Sequence, residues 1–377
     1  MASRKPVKLD VIKNANRIVL KVGSSLLIKS KNGSINKTWM KSFAEDISTL
    51  TKSKKEILIV SSGAIALGKN ELKIKKSLKL NEKQAAAAAG QIVLAKAWKD
   101  TFEKLNLKCG QILVTHSDLE KRKNAMNVRA TLNTLLDLNT IPIINENDTV
   151  ATKEIRYGDN DQLAARIAHF LEADVLILLS DIDGLYSKDP KNNKDAYLIA
   201  EVKNITKDIE NMGKNTKSNI SSGGMATKIK AAKIANAGGC NLIICDGRNN
   251  NSLKKLVNGG IHTIFRASLT AKSARKKWIL SNRNRLKYVI IDNGAKSALN
   301  SGKSLLSAGI TASSENFDRG ETVNIISKSK KLLGCGIIAY NSDEIDIIAG
   351  KQSKNIERLL GYKGRAEAIH RDDMIVD

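Results

Sequence analysis

Two lysines occupy settings in which an ammonium group could meet a phosphate. Lys21 sits at the end of the apolar run Arg17 to Val22 and is followed by Gly23, Ser24 and Ser25. A chain that turns there into a helix presents a cation and free backbone N–H groups to the same anion. Lys228 closes the segment Ser222-Gly223-Gly224-Met225-Ala226-Thr227-Lys228, where the glycine pair frees backbone donors at a helix start and the lysine, about one turn in, reaches a transferring phosphoryl group. Each setting also has a plain reading, since a lysine near a glycine is how ordinary strands end and a glycine pair is an ordinary N-terminal turn. The GxxxxGK[ST] spacing of a Walker loop is absent. It is the joint occurrence of both lysines with the acidic clusters described next that points to phosphoryl chemistry.

Carboxylates and amides gather in two clusters, Asn145-Glu146-Asn147-Asp148 and Gly158-Asp159-Asn160-Asp161, within 17 residues. Such groups can hold a substrate carboxylate or amine, orient a lysine, or help bind Mg²⁺ through water. They also make Asx turns, and their pairing over so short a span favours a site. Ser61-Ser62-Gly63-Ala64-Ile65-Ala66-Leu67-Gly68 and Ser180-Asp181-Ile182-Asp183-Gly184 are two further small or polar segments. The run Ala85 to Ala89, with Gly90-Gln91, reads as tight helix packing rather than a binding face. His116, His169, His262 and His370 lie far apart and receive no catalytic role, and the lack of GxSxG leaves acyl-enzyme chemistry without support. Cys109, Cys240, Cys245 and Cys335 are too scattered for a zinc site or a disulfide framework and read as small buried thiols.

The elements that must position these groups follow from the apolar pattern. Short Ile/Val/Leu runs at Arg17 to Val22, Glu56 to Val60, Ile141 to Ile144, Asp174 to Leu179 and Asn241 to Cys245 read as buried strands. Helical stretches at Thr38 to Lys52, Glu82 to Leu105, Asn124 to Leu138, Asp161 to Glu172 and Ala226 to Ala237 alternate with them, which predicts a mainly parallel sheet with crossovers. Ligands in such sheets bind at the carboxyl ends of strands, where every Gly-, Ser- or Asp-rich segment above falls. After Arg285 the texture changes to β-prone pieces at Tyr288 to Asp292, Thr322 to Ile326 and Gly336 to Ala339, predicting a small β-rich barrel.

The chain has 377 residues, 42% hydrophobic and 27% charged, enough for one large domain and a smaller one. No charge-free apolar run approaches the roughly 20 residues of a membrane helix, and the basic N-terminus Met1 to Arg17 lacks the apolar core of a secretory signal, so a cytoplasmic protein is expected. Of the net charge of +25, Leu286 to Asp377 contributes only +1, from 13 Lys and Arg against 12 Asp and Glu. Arg266 to Arg285 holds seven basic residues and no acid. The expected division is therefore a catalytic domain over 1–265, a basic linker over 266–285 and a β-rich domain over 286–377.

Taken in order, these segments resemble the amino acid kinase family over nearly the whole chain. The resemblance rests on Val19-Leu20-Lys21-Val22-Gly23-Ser24-Ser25, Val60 to Ala66, Ile144 to Asp148, Gly158 to Asp161 and Gly223 to Lys228. The tail resembles a PUA domain, through Phe317, Arg319-Gly320-Glu321, Tyr340-Asn341-Ser342-Asp343 and His370 to Met374. What the resemblance implies is a three-layer α/β sandwich and transfer of phosphate from ATP, with Mg²⁺ carried mainly by the nucleotide, to the L-glutamate γ-carboxylate at the start of proline synthesis. It makes Lys21 and Lys228 the lysines on ATP and the phosphoryl group, held by Asp161. Ser62, Asp148 and Asn160 would bind glutamate. Ser180 and Asp181 would lie at the nucleotide, with Ser222, Gly223, Gly224, Met225, Ala226, Thr227 and Lys228 over its phosphates. Ser61, Ser180 and Ser222 stand where threonine is usual, and Ala226 where serine is common. A homodimer or homotetramer and feedback inhibition by proline are implied as well, with no membrane partner. Two other readings stand beside this one: another small-carboxylate or UMP kinase of the same fold, and an RNA-binding protein acting through the tail, which the tail's charge of +1 disfavours.

Overall fold

The computed structural model describes residues 9–29, 33–75, 78–151, 159–214, 224–284 and 286–376. The chain divides into two compact units, one of residues 1–119 and 128–271 and the other of 120–127 and 272–377.

The first unit is built on β1 (Arg17–Val22), β2 (Glu56–Val60), β3 (Lys108–Val114), β4 (Thr140–Glu146), β5 (Val175–Ser180), β6 (Leu185–Tyr186), β7 (Leu198–Ile199), β8 (Glu201–Val202), β9 (Asn241–Asp246) and β10 (His262–Phe265). Eight of these form one sheet in the order β3-β4-β2-β1-β5-β9-β10-β8. β1 pairs in parallel with β2 on one side and β5 on the other, and only β10 runs antiparallel to its neighbour β9. The central strands are apolar on both faces because both are covered. Successive side chains of β1 alternate between them, with Ile18, Leu20 and Val22 in one core and Val19 in the other.

The helices of this unit, in chain order, are α1 (Asp10–Asn14), α2 (Ser24–Leu27), α3 (Lys37–Lys52), α4 (Ala64–Glu71), α5 (Leu80–Glu103), α6 (His116–Glu120), α7 (Arg122–Asp137), α8 (Asp159–Phe170), α9 (Lys207–Lys214), α10 (Met225–Ala237) and α11 (Ser252–Val257), with α6 and α7 reaching into residues 120–127. Trp39, Met40, Phe43 and Ile47 of α3 and Leu94, Trp98 and Phe102 of α5 fill the first core. Leu163 and Ile167 of α8 and Ile229 and Ala232 of α10 fill the second. The expected three-layer α/β sandwich follows. The alanine-rich start of α5 packs as its small residues suggest: a Cβ on Gly68 would lie 1.6 Å from the Ala86 carbonyl oxygen and one on Gly90 1.9 Å from that of Ala64. Helices α4 and α5 therefore touch at the backbone, and only glycine fits at either position.

The second unit carries a five-stranded sheet, β13-β11-β14-β15-β17, made of β11 (Tyr288–Ile291), β13 (Ile310–Ser313), β14 (Thr322–Ser327), β15 (Leu332–Ile337) and β17 (Met374–Val376), with β12 (Leu305–Leu306) paired to β16 (Glu367–Ile369). Val289, Ile291, Val323, Ile325 and Tyr340 are in its core. Helix α12 (Ala271–Ser281) runs through the basic segment. Two of its neighbourhood's cations are engaged within the unit, Arg275 with Asp373 at 2.8 Å and Arg283 with Asn324 at 2.5 Å. No helix among the described residues is long and apolar enough to cross a membrane.

Candidate active site

Parallel register brings the ends of separate strands into one row. Lys21 lies opposite Val60 of β2 and Leu178 of β5, so Ser61 and Ser62 emerge on one side of it and Ser180 on the other. Beyond Ser61 lies the end of β4, tied by the Ser61 amide donating to the Ile144 carbonyl at 2.8 Å, with Asn145 next in sequence. Because β1 is the strand from which the order departs in both directions, its carboxyl end is the topological switch point, where a crevice opens.

Helix α8 begins over this row, and its first turn supplies two adjacent side chains with different work. Asp161 is fully buried and lies between the two lysines, its Oδ1 2.7 Å from Lys21 Nζ and its Oδ2 3.1 Å from Lys228 Nζ. Thr227 Oγ1 stands 3.4 Å from the same Oδ2. Burial alone would push the Asp161 carboxyl up, but the two ammonium groups outweigh it and hold the acid at about 2. The carboxylate is thus ionised at any pH near neutrality. Lys21 and Lys228 are themselves 9% and 5% exposed, so the three charges form a compact centre with one net positive charge in a poorly solvated place.

Asn160, the preceding residue, turns to the other side. Its Nδ2 donates to the Ser61 carbonyl (3.0 Å), to Ser62 Oγ (2.8 Å) and towards Asn145 Oδ1 (3.3 Å). Asn145, 2% exposed, accepts from the Glu146 amide at 3.0 Å and donates to Gln91 Oε1 at 2.8 Å. Trp98 of α5 donates from Nε1 to Ser61 Oγ at 3.0 Å. Gly63 closes this corner in a left-handed conformation (φ 105°), with Ile28 2.9 Å from where a Cβ would stand.

On the other flank Ser180 is buried and donates to Asp181 Oδ1 at 3.1 Å, while Asp181 is exposed. Gly224 is the N-cap of α10 with no side-chain cap. Gly224 has no side chain to cap the helix, so among the described residues no N-cap side chain competes for its first amides on the approach to Lys228, the arrangement that suits phosphate oxygens. Met225 is buried and Ala226 half-buried in that first turn.

The structure thus brings Lys21, Lys228 and Asp161 together, and separately joins Ser62 with Asn160. Asp148 is half-buried in the turn after β4. Ser222 and Gly223, with Gly158 of the acidic cluster, lie outside the described residues. Gln91 and Trp98, both on α5, enter the site's hydrogen bonding, although the small-residue run Ala85 to Gln91 reads as helix packing and nothing in the sequence singles out Trp98. Arg248 was also missed: it pairs with Asp246 at 2.8 Å, one strand over from Ser180, and feels the charges of Asp181 and Asp183. His116 Nε2 stands 3.8 Å from Glu146 Oε2, so one histidine borders the site. Cys240, Cys245 and Cys335 are buried and Cys109 half-buried, all as free thiols.

Comparison with known proteins adds to this geometry. The amino acid kinase family matches residues 16–246 and the PUA domain residues 287–360. The chain is 47% identical over 361 residues to glutamate 5-kinase of Rhodopseudomonas palustris (strain BisB5), covering 96% of both chains. It is 48% identical over 362 residues to glutamate 5-kinase of Agrobacterium fabrum, covering 96% of this chain and 93% of that one. Among solved structures, carbamate kinase from Giardia lamblia bound to AMP-PNP superposes with a TM-score of 0.50 at 16% identity, covering 67% of this chain and 99% of that one. At that identity the likeness concerns the fold alone.

Proposed function

This chain belongs to the amino acid kinase family, and we propose that it transfers the γ-phosphoryl group of MgATP to the γ-carboxylate of L-glutamate, giving L-glutamyl 5-phosphate, the first step of proline biosynthesis. The observation that carries the reading is the pair Asn160 and Asp161. Adjacent on one helix turn, they join a neutral hydrogen-bonding corner to a cationic centre, as a reaction between a zwitterionic amino acid and a polyphosphate requires. The choice of glutamate is supported by the near full-length similarity to glutamate 5-kinases.

A carboxylate oxygen attacks the γ-phosphorus, the bond from that phosphorus to the β,γ-bridging oxygen breaks, and ADP leaves. Glutamate's side chain has a pKa of about 4.3, so the nucleophile is already an anion and needs no general base. What the site must supply is alignment and compensation of charge on the γ-phosphoryl oxygens. Lys21 and Lys228 do this, and Asp161 keeps them close together against their mutual repulsion. Mg²⁺ enters with the nucleotide as part of the substrate, and Asp161, both of whose oxygens face ammonium groups, holds the lysines rather than the metal. Ser62, Asp148 and Asn160 hold glutamate. Ser180, Asp181, the start of α10 and the preceding Ser222 and Gly223 hold ATP. The catalytic domain lies within residues 1–265, apart from 120–127, which group with the second unit as do 272–285, and the PUA-like domain within 286–377. A cytoplasmic homo-oligomer inhibited by proline belongs to the same proposal.

The test is ADP release by the purified protein with MgATP and L-glutamate, with hydroxylamine present to trap acyl phosphate as a coloured hydroxamate. Aspartate and acetylglutamate run in parallel. Glutamate-dependent hydroxamate is expected. Turnover only with another acid would move the substrate assignment, and none with any acid would overturn the reading.

A further inference from the structure

Side-chain amides have two ends that differ in chemistry, and a network of them works only if every end faces the right way. Here two backbone groups fix the direction. The Ser61 carbonyl can only accept, so the atom 3.0 Å from it must be Asn160 Nδ2. The Glu146 amide can only donate, so the atom 3.0 Å from it must be Asn145 Oδ1. Asn145 is then left with Nδ2 pointing to Gln91, and Gln91 must answer with its oxygen, as it does at 2.8 Å. The same polarity dictates what the corner shows a ligand. Ser62 Oγ already accepts from Asn160, which leaves its proton to donate. Asn160 has used its nitrogen, which leaves Oδ1 as an acceptor.

We propose that Gln91 is a positioning residue that locks Asn145 and, through it, Asn160, so that Asn160 Oδ1 accepts from the ammonium group of the amino-acid substrate while Ser62 donates to a carboxylate. The proposal rests on the reading of Asn160 and Ser62 as glutamate-binding groups. Its structural basis lies in the contact between α4 and α5. Gly90 leaves no space between its own backbone and Ala64, so Gln91, the next residue, is held at a fixed height beside the helix that Ser62 and Gly63 introduce. Asn145 is 2% exposed and cannot turn over to find another acceptor without losing the Glu146 amide.

A site built to hydrogen-bond a substrate N–H discriminates strongly against an analogue that lacks it, because a polar group is then left unpaired. Glutarate is glutamate without the ammonium group. The experiment compares kcat/KM for L-glutamate and glutarate in the wild type, Gln91→Met, which keeps the volume and removes the acceptor, and Gln91→Glu, which keeps an acceptor for Asn145. The expected result is a fall of about tenfold or more in the glutamate-to-glutarate ratio for Gln91→Met, retention of most of the ratio in Gln91→Glu, and KM for ATP unchanged throughout. Should Gln91→Met fail to fold, the ratio is read on Gln91→Ala, a substitution suited to a helix interior. Equal losses with both acids, an unchanged ratio, or Gln91→Glu falling as far as the apolar variant would each overturn the proposal. If the wild type makes no acyl phosphate from glutamate, it is the parent reading that fails.

Discussion

The two flanks of Lys21 are built from different materials. On one side, Lys21, Asp161 and Lys228 meet through ion pairs of 2.7 and 3.1 Å. On the other, Ser62, Asn145, Asn160 and Gln91 meet through neutral hydrogen bonds of 2.8 to 3.3 Å. Ion pairs are strong but weakly directional, which suits a γ-phosphoryl group whose charge is spread over three oxygens. Amides are weaker but have a defined polarity, which suits a substrate that must be told apart from other acids by one ammonium group. On the proposed reading, rate and selectivity can then be changed separately, although the residues that would carry them are neighbours in sequence.

The two flanks part most visibly at Lys228. Lys228→Ala is expected to lower kcat about 100-fold or more, by analogy with the loss of one donor to a developing oxyanion, while leaving KM for glutamate nearly unchanged. Steady-state kinetics with each substrate varied in turn would show it. A rise in KM alone would place Lys228 in binding rather than in the transition state.

The next effect concerns pH, because one flank holds a titrating group and the network of the other holds none. Asp161 is held at about 2 in the folded protein, below its ordinary carboxylate range. A lowered carboxyl pKa contributes stability that is complete above the unfolded value of about 3.9 and is lost as pH falls toward 2. That contribution is on the order of 2 kcal/mol. Urea unfolding from pH 5 down to pH 2 should therefore show a steeper loss in the wild type than in Asp161→Asn. Identical slopes would mean that Asp161 is not ionised between two charged lysines.

The smallest effect belongs to the neutral flank. Ser62→Ala removes one hydroxyl worth about 1 kcal/mol, so KM for glutamate should rise roughly fivefold with KM for ATP unchanged. A change in both would show that the two flanks are not separable at this residue.

Much of this was legible in the sequence, for physical reasons that also explain the gaps. Strand ends at Lys21, Ser61, Asn145 and Ser180 announce themselves because a buried Ile/Val/Leu run stops abruptly at small or polar residues, and a parallel sheet then gathers those ends at one edge. Gln91 could not be read in the same way. Its partner Asn145 lies 54 positions away, and the alanines before it truthfully signal the Gly68 and Gly90 contact, which hides a polar residue on the same helix. β3 and β10 lack the apolar run that marks the other strands: Lys108–Val114 mixes polar with apolar residues at the sheet edge, and His262–Phe265 carries a single isoleucine between threonine and phenylalanine. The assignment of residues 120–127 to the second unit has no local signature at all, since it depends on packing rather than on composition.

The most direct test of the division crosses its two sides in one assay, with hydroxamate formation measured for Asn160→Ala and Lys228→Ala while glutamate and ATP are varied separately. Asn160→Ala is expected to raise KM for glutamate about tenfold or more with kcat within about threefold of wild type, and Lys228→Ala to lower kcat about 100-fold with KM for glutamate within about threefold. If both substitutions moved the same constant by similar factors, the site would be acting as one undivided unit, contrary to the division between its two flanks.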